Sequence, residues 1–241
     1  MSSRIDFEGS NEVGAFARLT NTYCITGRSS NKNFYNEIFD KVNIPVIETT
    51  INGIKTVGSQ CQGNKNGLLV PITTTDQELY FLRNNLPDTV KVMRVEERLN
   101  ALGNTLICND HIALLHPDVD KETEEMINDV LKIDVFRHNI GFEPLVGTFA
   151  ALNNVGMLVH PHVTDEEMEE LANMLEVQVI AGTVNKGSGC IGGGMIVNDW
   201  ISFCGIQTTN TEFLVIETVF KLSDSDLFDS KKEFFIDGIV K

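Results

Sequence analysis

The chain lacks the features that mark a membrane or secreted protein. Its longest apolar runs, such as Gly67–Pro71, fall far short of the roughly 20 residues that a transmembrane helix needs. Five cysteines without a CxxC pair favour reduced thiols over a disulfide framework or a zinc site. The first residues hold no apolar signal region, and no Asn-x-Ser/Thr acceptor occurs. We therefore expect an intracellular protein that contacts no membrane.

Basic residues are scarce. The 19 Lys and Arg face 34 Asp and Glu, which gives a net charge of −15. Such a molecule repels a phosphate backbone at long range, and it is attracted to basic surfaces. We expect a partner that is contacted through basic protein more than through RNA.

A repeat runs through most of the chain. Each copy has a glycine, an apolar stretch and an asparagine: Gly14 to Asn21, Gly58 to Asn64, Gly103 to Asn109, Gly147 to Asn153, and Gly192 to Asn198. The asparagines recur after 43, 45, 44 and 45 residues. This period predicts one domain, 1–224, of five units at about 1–52, 53–97, 98–141, 142–184 and 185–224, followed by a tail, 225–241.

Each unit has the same predicted order of elements. A second apolar strand follows each asparagine, which indicates a hairpin with an Asn-centred turn. Thr75, Thr164 and Thr209 each precede a glutamate at capping-box spacing, and a helical pattern follows. Alternating segments such as Val90-x-Val92 then predict a third strand in the middle three units.

One such unit cannot bury its helix stripe and both strand faces alone, so neighbouring units must share them. No polar capping repeat occurs at either end of the array, which favours a closed ring over a solenoid. The predicted fold is α/β: a closed five-bladed propeller with fivefold pseudosymmetry, strands round the axis and helices outside.

Three motifs have the residues of ligand sites but not the context. The glycines of 187–192 match GxGxxG, yet a strand follows where a dinucleotide site needs a helix. His160-Pro-His162 lies in a slot that other units fill with His or Val, and Asp118 and Asp120 precede a helix start. We expect no metal and no cofactor.

Several long strings resemble the eukaryotic translation initiation factor six family: the segments 11–24, 67–71, 74–79, 86–88, 94–104, 108–110, 116–118, 181–185 and 197–200. The resemblance spans all five units. It implies a pentein-type ring without catalytic activity. It also implies a monomeric ribosome anti-association factor that binds the intersubunit face of the large ribosomal subunit, near the sarcin-ricin loop and its basic ribosomal proteins, with little direct RNA contact.

Such binding blocks joining of the small subunit and accompanies biogenesis of the large subunit from nucleus and nucleolus to cytoplasm. Release by an elongation-factor-like GTPase with the Shwachman-syndrome protein is also implied. The chain departs from the family at Ser59-Gln60, where the family often has a basic residue.

An alternative stays open, because pentein folds include hydrolases that act on guanidino substrates. Asp110, His111 and Cys204 would supply the carboxylate, base and nucleophile. The simpler interpretation of Cys204 is a buried residue at a strand end.

The binding surface is predicted at the opening glycines, where short side chains and bare backbone allow close approach. The Asn turns and helix starts are expected at the other end of the ring. The candidate residues for large-subunit binding are Val13, Gly14, Ser59, Gln60, Asn104, Thr105, Thr148, Gly193, Gly194 and Met195.

Overall fold

A computed structural model describes residues 1–222, and these form five three-stranded sheets. The predicted tail, 225–241, lies outside the described residues, as do residues 223 and 224 of the fifth predicted unit. In the described part of the chain, no helix is both long and apolar enough to span a membrane.

The elements repeat in one order after β1 (Ser2–Ile5): a one-turn helix, two strands, a longer helix and a third strand. The first unit has α1 (Val13–Phe16), β2 (Ala17–Leu19), β3 (Cys24–Gly27), α2 (Asn33–Phe39) and β4 (Val46–Thr49). The second has α3 (Val57–Gln60), β5 (Gln62–Gly63), β6 (Gly67–Pro71), α4 (Asp76–Asn85) and β7 (Lys91–Val95). The third has α5 (Leu102–Thr105), β8 (Leu106–Cys108), β9 (Ile112–Leu115), α6 (Lys121–Leu131) and β10 (Asp134–Arg137). The fourth has α7 (Val146–Phe149), β11 (Ala150–Leu152), β12 (Gly156–Val159), α8 (Asp165–Leu175) and β13 (Gln178–Ala181), and the fifth has α9 (Ile191–Gly194), β14 (Met195–Val197), β15 (Ser202–Gly205) and α10 (Asn210–Val219).

The five units close into a ring, which confirms the predicted fold class. In the first four units the first two strands pair antiparallel, and the longer helix crosses to a third strand that pairs parallel. Each one-turn helix contacts the next one, and α9 contacts α1. At the axis, β14 likewise contacts β2. The last unit is therefore packed on the first.

The hydrophobic core extends across every boundary between units. Five clusters occur, and each combines side chains from two neighbouring units. In the cluster that joins the fifth unit to the first, Phe7, Leu19 and Ile38 pack with Ile196 and Phe203. An isolated unit would expose its part of two such clusters to water, which favours formation of the ring as a whole.

The third strand of the fifth sheet comes from the other end of the chain. β1 pairs parallel with β15, with Ser2 opposite Ser202 and Ile5 opposite Gly205. The Met1 ammonium group donates to the Leu222 carbonyl. Residues 2–5, which the predicted boundaries assign to the first unit, thus complete the fifth.

The structure also corrects the repeat by one residue in the first unit. Thr20, not Asn21, is equivalent to the other asparagines: its Oγ1 accepts from Tyr23 N at 3.0 Å. Asn109 Oδ1 accepts in the same way from Ile112 N at 2.9 Å. With Thr20 in place the spacings become 44, 45, 44 and 45, which equal those of the opening glycines.

Helix starts follow the predicted chemistry, but one kind of helix was not predicted. Thr75, Thr164 and Thr209 all form complete capping boxes. The sequence pattern predicts a strand where the one-turn helices at the opening glycines lie, because four residues are too few to show a helical period.

Candidate functional site

The ring has two different ends. We call the end that carries the one-turn helices the glycine end, and the end that carries the turns between first and second strands the asparagine end. The helix starts were predicted at the asparagine end, and this is wrong. Because β9 runs back beside β8, His116 N at its end donates to Thr105 O at 2.8 Å, and α6 starts at the glycine end. Leu131, where α6 ends, accepts from Asn64 Nδ2 at the asparagine end.

The opening glycines form a closed ring of backbone contacts. A Cβ on Gly103 would lie 2.0 Å from Gly58 O, and one on Gly58 would lie 2.1 Å from Gly14 O. The contact continues round the axis, so that a Cβ on Gly14 would lie 2.0 Å from Gly192 O. Only glycine permits this approach, so the repeated glycine is set by helix packing.

The structure brings all ten predicted binding residues to the glycine end, but it buries half of them. Val13, Gly14, Thr105, Gly194 and Met195 are buried, so their side chains pack within the ring and offer a partner no surface. The half-exposed members are Ser59, Gln60, Asn104, Thr148 and Gly193. Their role in binding stays a prediction.

Exposed apolar side chains surround this polar patch, and the sequence interpretation missed them. Ile54, Ile72, Phe142 and Ile206 lie in loops at the glycine end, and Phe142 is 95% exposed. Apolar loop residues of this kind often mark an interaction surface when they share one face. Their position beside turn glycines, as in Gly53-Ile54 and Gly141-Phe142, could have pointed to them.

The asparagine end is closed by a polar network. Asp110 and Asp199 each accept from two amides, at 2.7 to 3.0 Å: those of Asn21 and Asn154. The backbone N–H groups of Lys65, Asp110, Asn154 and Asp199 each donate to the equivalent side chain of the next unit, as when Asp110 N donates to Asn154 Oδ1 at 3.0 Å. The cavity beneath has about 30 Å³, enough for water but not for an organic ligand.

The residues of the hydrolase alternative are not brought together. Cys204 is fully buried in the core of the fifth unit, and burial raises the pKa of its thiol to about 12. His111 is exposed at the asparagine end, while Asp110 belongs to the axial network. Cys108 lines the axial cavities, but burial raises its pKa to about 12 as well. These thiols are protonated at neutral pH and are poor nucleophiles.

The other motifs have structural roles. Gly187 adopts a positive φ of 97° in a turn, and Gly192 belongs to the glycine ring. His160 Nδ1 accepts from His162 N at 3.2 Å, within a turn. Asp120 lies at the N-cap of α6. Among residues 1–222, no three His, Cys, Asp or Glu side chains converge on a possible metal position.

Two capping glutamates also hold the turns that open their units. Glu78 accepts from Asn52 N at 2.8 Å and Gly53 N at 3.0 Å, and Glu212 accepts from Gly187 N at 2.9 Å. Burial alone would raise the pKa of both carboxyls. Hydrogen bonds outweigh this and lower each pKa to about 2.

This predicts a loss of stability in acid. Both folded-state pKa values lie below the ordinary value of 4.5, so the stabilisation is complete above pH 4.5 and is lost as pH falls toward 2. Each carboxylate contributes at most about 3 kcal/mol. We expect Glu78→Gln and Glu212→Gln to flatten the decline of unfolding free energy in urea titrations between pH 5 and 2.

Glu167→Gln is the matched control, because Glu167 forms a capping box but makes no hydrogen bond to the turn that opens its unit. It should cost about 1 kcal/mol. An equal flattening in all three variants would contradict the role of the turn contacts.

Comparison with known proteins identifies a family. The eIF-6 family model matches residues 2–219. Eukaryotic translation initiation factor 6 of Encephalitozoon cuniculi is 57% identical over 241 residues, which cover 100% of both chains. The proteins of that name from Saccharomyces cerevisiae and Candida albicans are each 51% identical, with 93% of both chains covered.

Two solved enzymes have a weaker likeness. The N-terminal domain of ArgZ, a cyanobacterial arginine dihydrolase, is 15% identical with a TM-score of 0.46, and covers 70% of this chain and 66% of its own. The agmatine deiminase of C. jejuni is 11% identical with a TM-score of 0.43, and covers 71% and 64%. Likeness at this level says nothing about chemistry. By the family match and by its full-length relatives, which are named as translation initiation factors, the chain belongs to the eIF-6 family.

Proposed function

We propose that this protein is a ribosome anti-association and large-subunit biogenesis factor. Its glycine end binds the intersubunit face of the large ribosomal subunit, and the body of the ring then occupies space that the small subunit needs. The proposal rests on the family membership. The feature of the structure that supports it most is the glycine end, where short polar side chains and exposed apolar loops share one face of a rigid ring.

Charge favours protein as the main contact. A net charge of −15 opposes close approach to RNA and favours basic ribosomal proteins near the sarcin-ricin loop. Such attraction speeds encounter more than it strengthens the complex. The apolar side chains of the glycine end would then supply the short-range contact.

The proposed action needs no catalysis and no cofactor. A closed ring whose cores span neighbouring units is rigid, and rigidity is what a steric block requires. We extend the proposal to a monomer that acts in nucleus, nucleolus and cytoplasm. An elongation-factor-like GTPase with the Shwachman-syndrome protein would release it from the large subunit. Nothing in the site geometry favours the guanidino-hydrolase alternative.

Positive charge added at the glycine end tests the footprint. We expect Asn104→Lys and Thr148→Arg each to weaken co-sedimentation with purified large subunits at least tenfold, because like charges then face a basic partner. Asn104 is half-exposed and its side chain makes no hydrogen bond in the described structure, so Asn104→Lys should change folding by no more than about 0.5 kcal/mol. The Thr148 hydroxyl is buried without a partner in the described structure, so urea unfolding must first show that Thr148→Arg is folded.

His111→Lys, an exposed position at the asparagine end, is the control and should bind as wild type. The readouts are pelleted fraction and inhibition of subunit joining. If both glycine-end variants fold and bind normally, the footprint lies elsewhere.

A further inference from the structure

The negative charge is concentrated in two neighbouring units. Residues 98–184 hold 15 Asp and Glu but only 4 Lys and Arg, so they account for −11 of the net −15. The remaining units are close to neutral. The outer wall of the third and fourth units is therefore a strongly acidic surface, separate from the glycine end.

An open groove of about 750 Å³ runs along this wall between α6 and β10. Its carboxylates are Glu122, Glu124, Glu125, Asp129 and Asp134, and its apolar members are Met126, Val135 and Phe136. Glu124 pairs with Arg137 at 2.7 Å. In the described part of the chain, the other four carboxylates form no ion pair.

One wall of the groove is an open sheet edge. β10 is the outermost strand of its sheet, and no other strand of residues 1–222 pairs with its free side. His138 N donates inward to Leu115 O at 3.1 Å. Since donors alternate along a strand, the N–H groups of Val135 and Arg137 point to the open edge.

The edge of the third unit differs from that of the second. At the equivalent edge of the second unit, Lys91 stands where the third has Asp134, and half-buried Met93 stands where it has Phe136, which is 41% exposed. An uncovered edge strand with an exposed aromatic side chain can pair with a strand of another protein. The acidic side chains on both sides of this edge favour a partner segment with positive charge.

We propose that this groove binds an extended, basic segment of a partner protein, which adds to β10 as a fourth strand. Its backbone pairs with the open edge at Val135 and Arg137. An apolar side chain of the segment contacts Phe136, and flanking Lys or Arg side chains pair with Glu122, Glu125, Asp129 and Asp134. Strand addition of this kind takes affinity from backbone hydrogen bonds and specificity from alternate side chains.

The test uses the full chain and a fluorescein-labelled eight-residue peptide in which lysine alternates with valine. Fluorescence anisotropy should show saturable binding, and Asp134→Lys should raise the Kd at least tenfold. The control Glu169→Lys makes the same change of charge on exposed α8, outside the groove, and should raise the Kd less than twofold. Hydrogen exchange at Val135 and Arg137 should slow at least tenfold on binding.

A peptide N-methylated at alternate residues separates strand addition from charge attraction, because it keeps the charge but lacks half of the donors. It should bind at least tenfold more weakly. Equal effects of Asp134→Lys and Glu169→Lys, or equal binding of the methylated peptide, would overturn the proposal. Slow exchange at Val135 and Arg137 before any peptide is added would also overturn it, since residues 223–241 or a second copy would then occupy the edge.

Discussion

Gly192→Ala is expected to lower the free energy of unfolding by at least about 3 kcal/mol. The new Cβ would lie 2.1 Å from Gly147 O and 2.6 Å from Ala150 O, and both obstacles are backbone atoms of the neighbouring unit. The two units would have to move apart to relieve this overlap, but the closed ring holds them on both sides. Overpacking against immobile atoms costs several kcal/mol. Urea unfolding followed by Trp200 fluorescence measures the loss.

The next residue of the same helix is the control. A Cβ on Gly193 would lie 2.9 Å from Glu12 Oε2, the far end of a flexible side chain, and 3.8 Å from Cys190 Cβ. Gly193→Ala should therefore stay within about 1 kcal/mol of wild type, since alanine also favours the helix. Similar losses for both variants would show that the backbone contact at Gly192 does not determine the cost.

The same contact explains why the fold could be predicted from sequence. Each close backbone contact between neighbouring one-turn helices requires a glycine, so the glycine recurs once in every unit. The period of the repeat is therefore visible in the sequence at Gly14, Gly58, Gly103, Gly147 and Gly192. The capping boxes record the longer helices in the same way. Close packing between copies thus leaves a stronger trace in sequence than strand propensity does.

The sequence predictions are wrong where different residue types make equivalent contacts. Thr20 accepts turn hydrogen bonds through a hydroxyl oxygen as Asn109 does through an amide oxygen, so a repeat defined by asparagine puts Asn21 at this position instead. The pairing of β1 with β15 joins residues about 200 apart. Nothing in the sequence near β1 or near β15 indicates that the two strands pair, so the sequence could not show that the first residues complete the last sheet.

The candidate site was predicted in position but not in exposure. Residues close together in sequence differ in exposure: Met195 is buried, whereas Gly193 is half-exposed. This difference is fixed only when the units are assembled. Apolar Ile54 and Phe142 were overlooked because an apolar residue in sequence is first expected to be buried. Ring closure decides whether a side chain is buried or exposed, and the sequence of a single unit carries no information about ring closure.

A chain that begins at residue 6 is expected to lose at least about 4 kcal/mol of stability and about 10 °C in Tm. Removing β1 takes away the parallel ladder on β15, the buried Ile5 side chain and the hydrogen bond from Arg4 Nε to Thr208 O at 2.7 Å. Burial of Ile5 alone contributes about 2 kcal/mol. A drop of this size in a domain of this length corresponds to several degrees for each kcal/mol. Thermal unfolding by circular dichroism measures it.

Two further arms separate the ladder from the terminal ammonium group. Adding two residues before Met1 removes the ammonium contact with Leu222 but keeps β1, and should cost no more than about 1 kcal/mol. A synthetic peptide of residues 1–5 should restore part of the lost Tm of the shortened chain in proportion to its concentration, because it can refill the edge of β15. The same peptide with Ile5→Asn should not, since its polar side chain would enter the core beside Phe203. Full stability of the shortened chain would contradict this prediction. It would mean that the ring closes without the pairing of β1 with β15, and that this pairing contributes nothing to the free energy of unfolding.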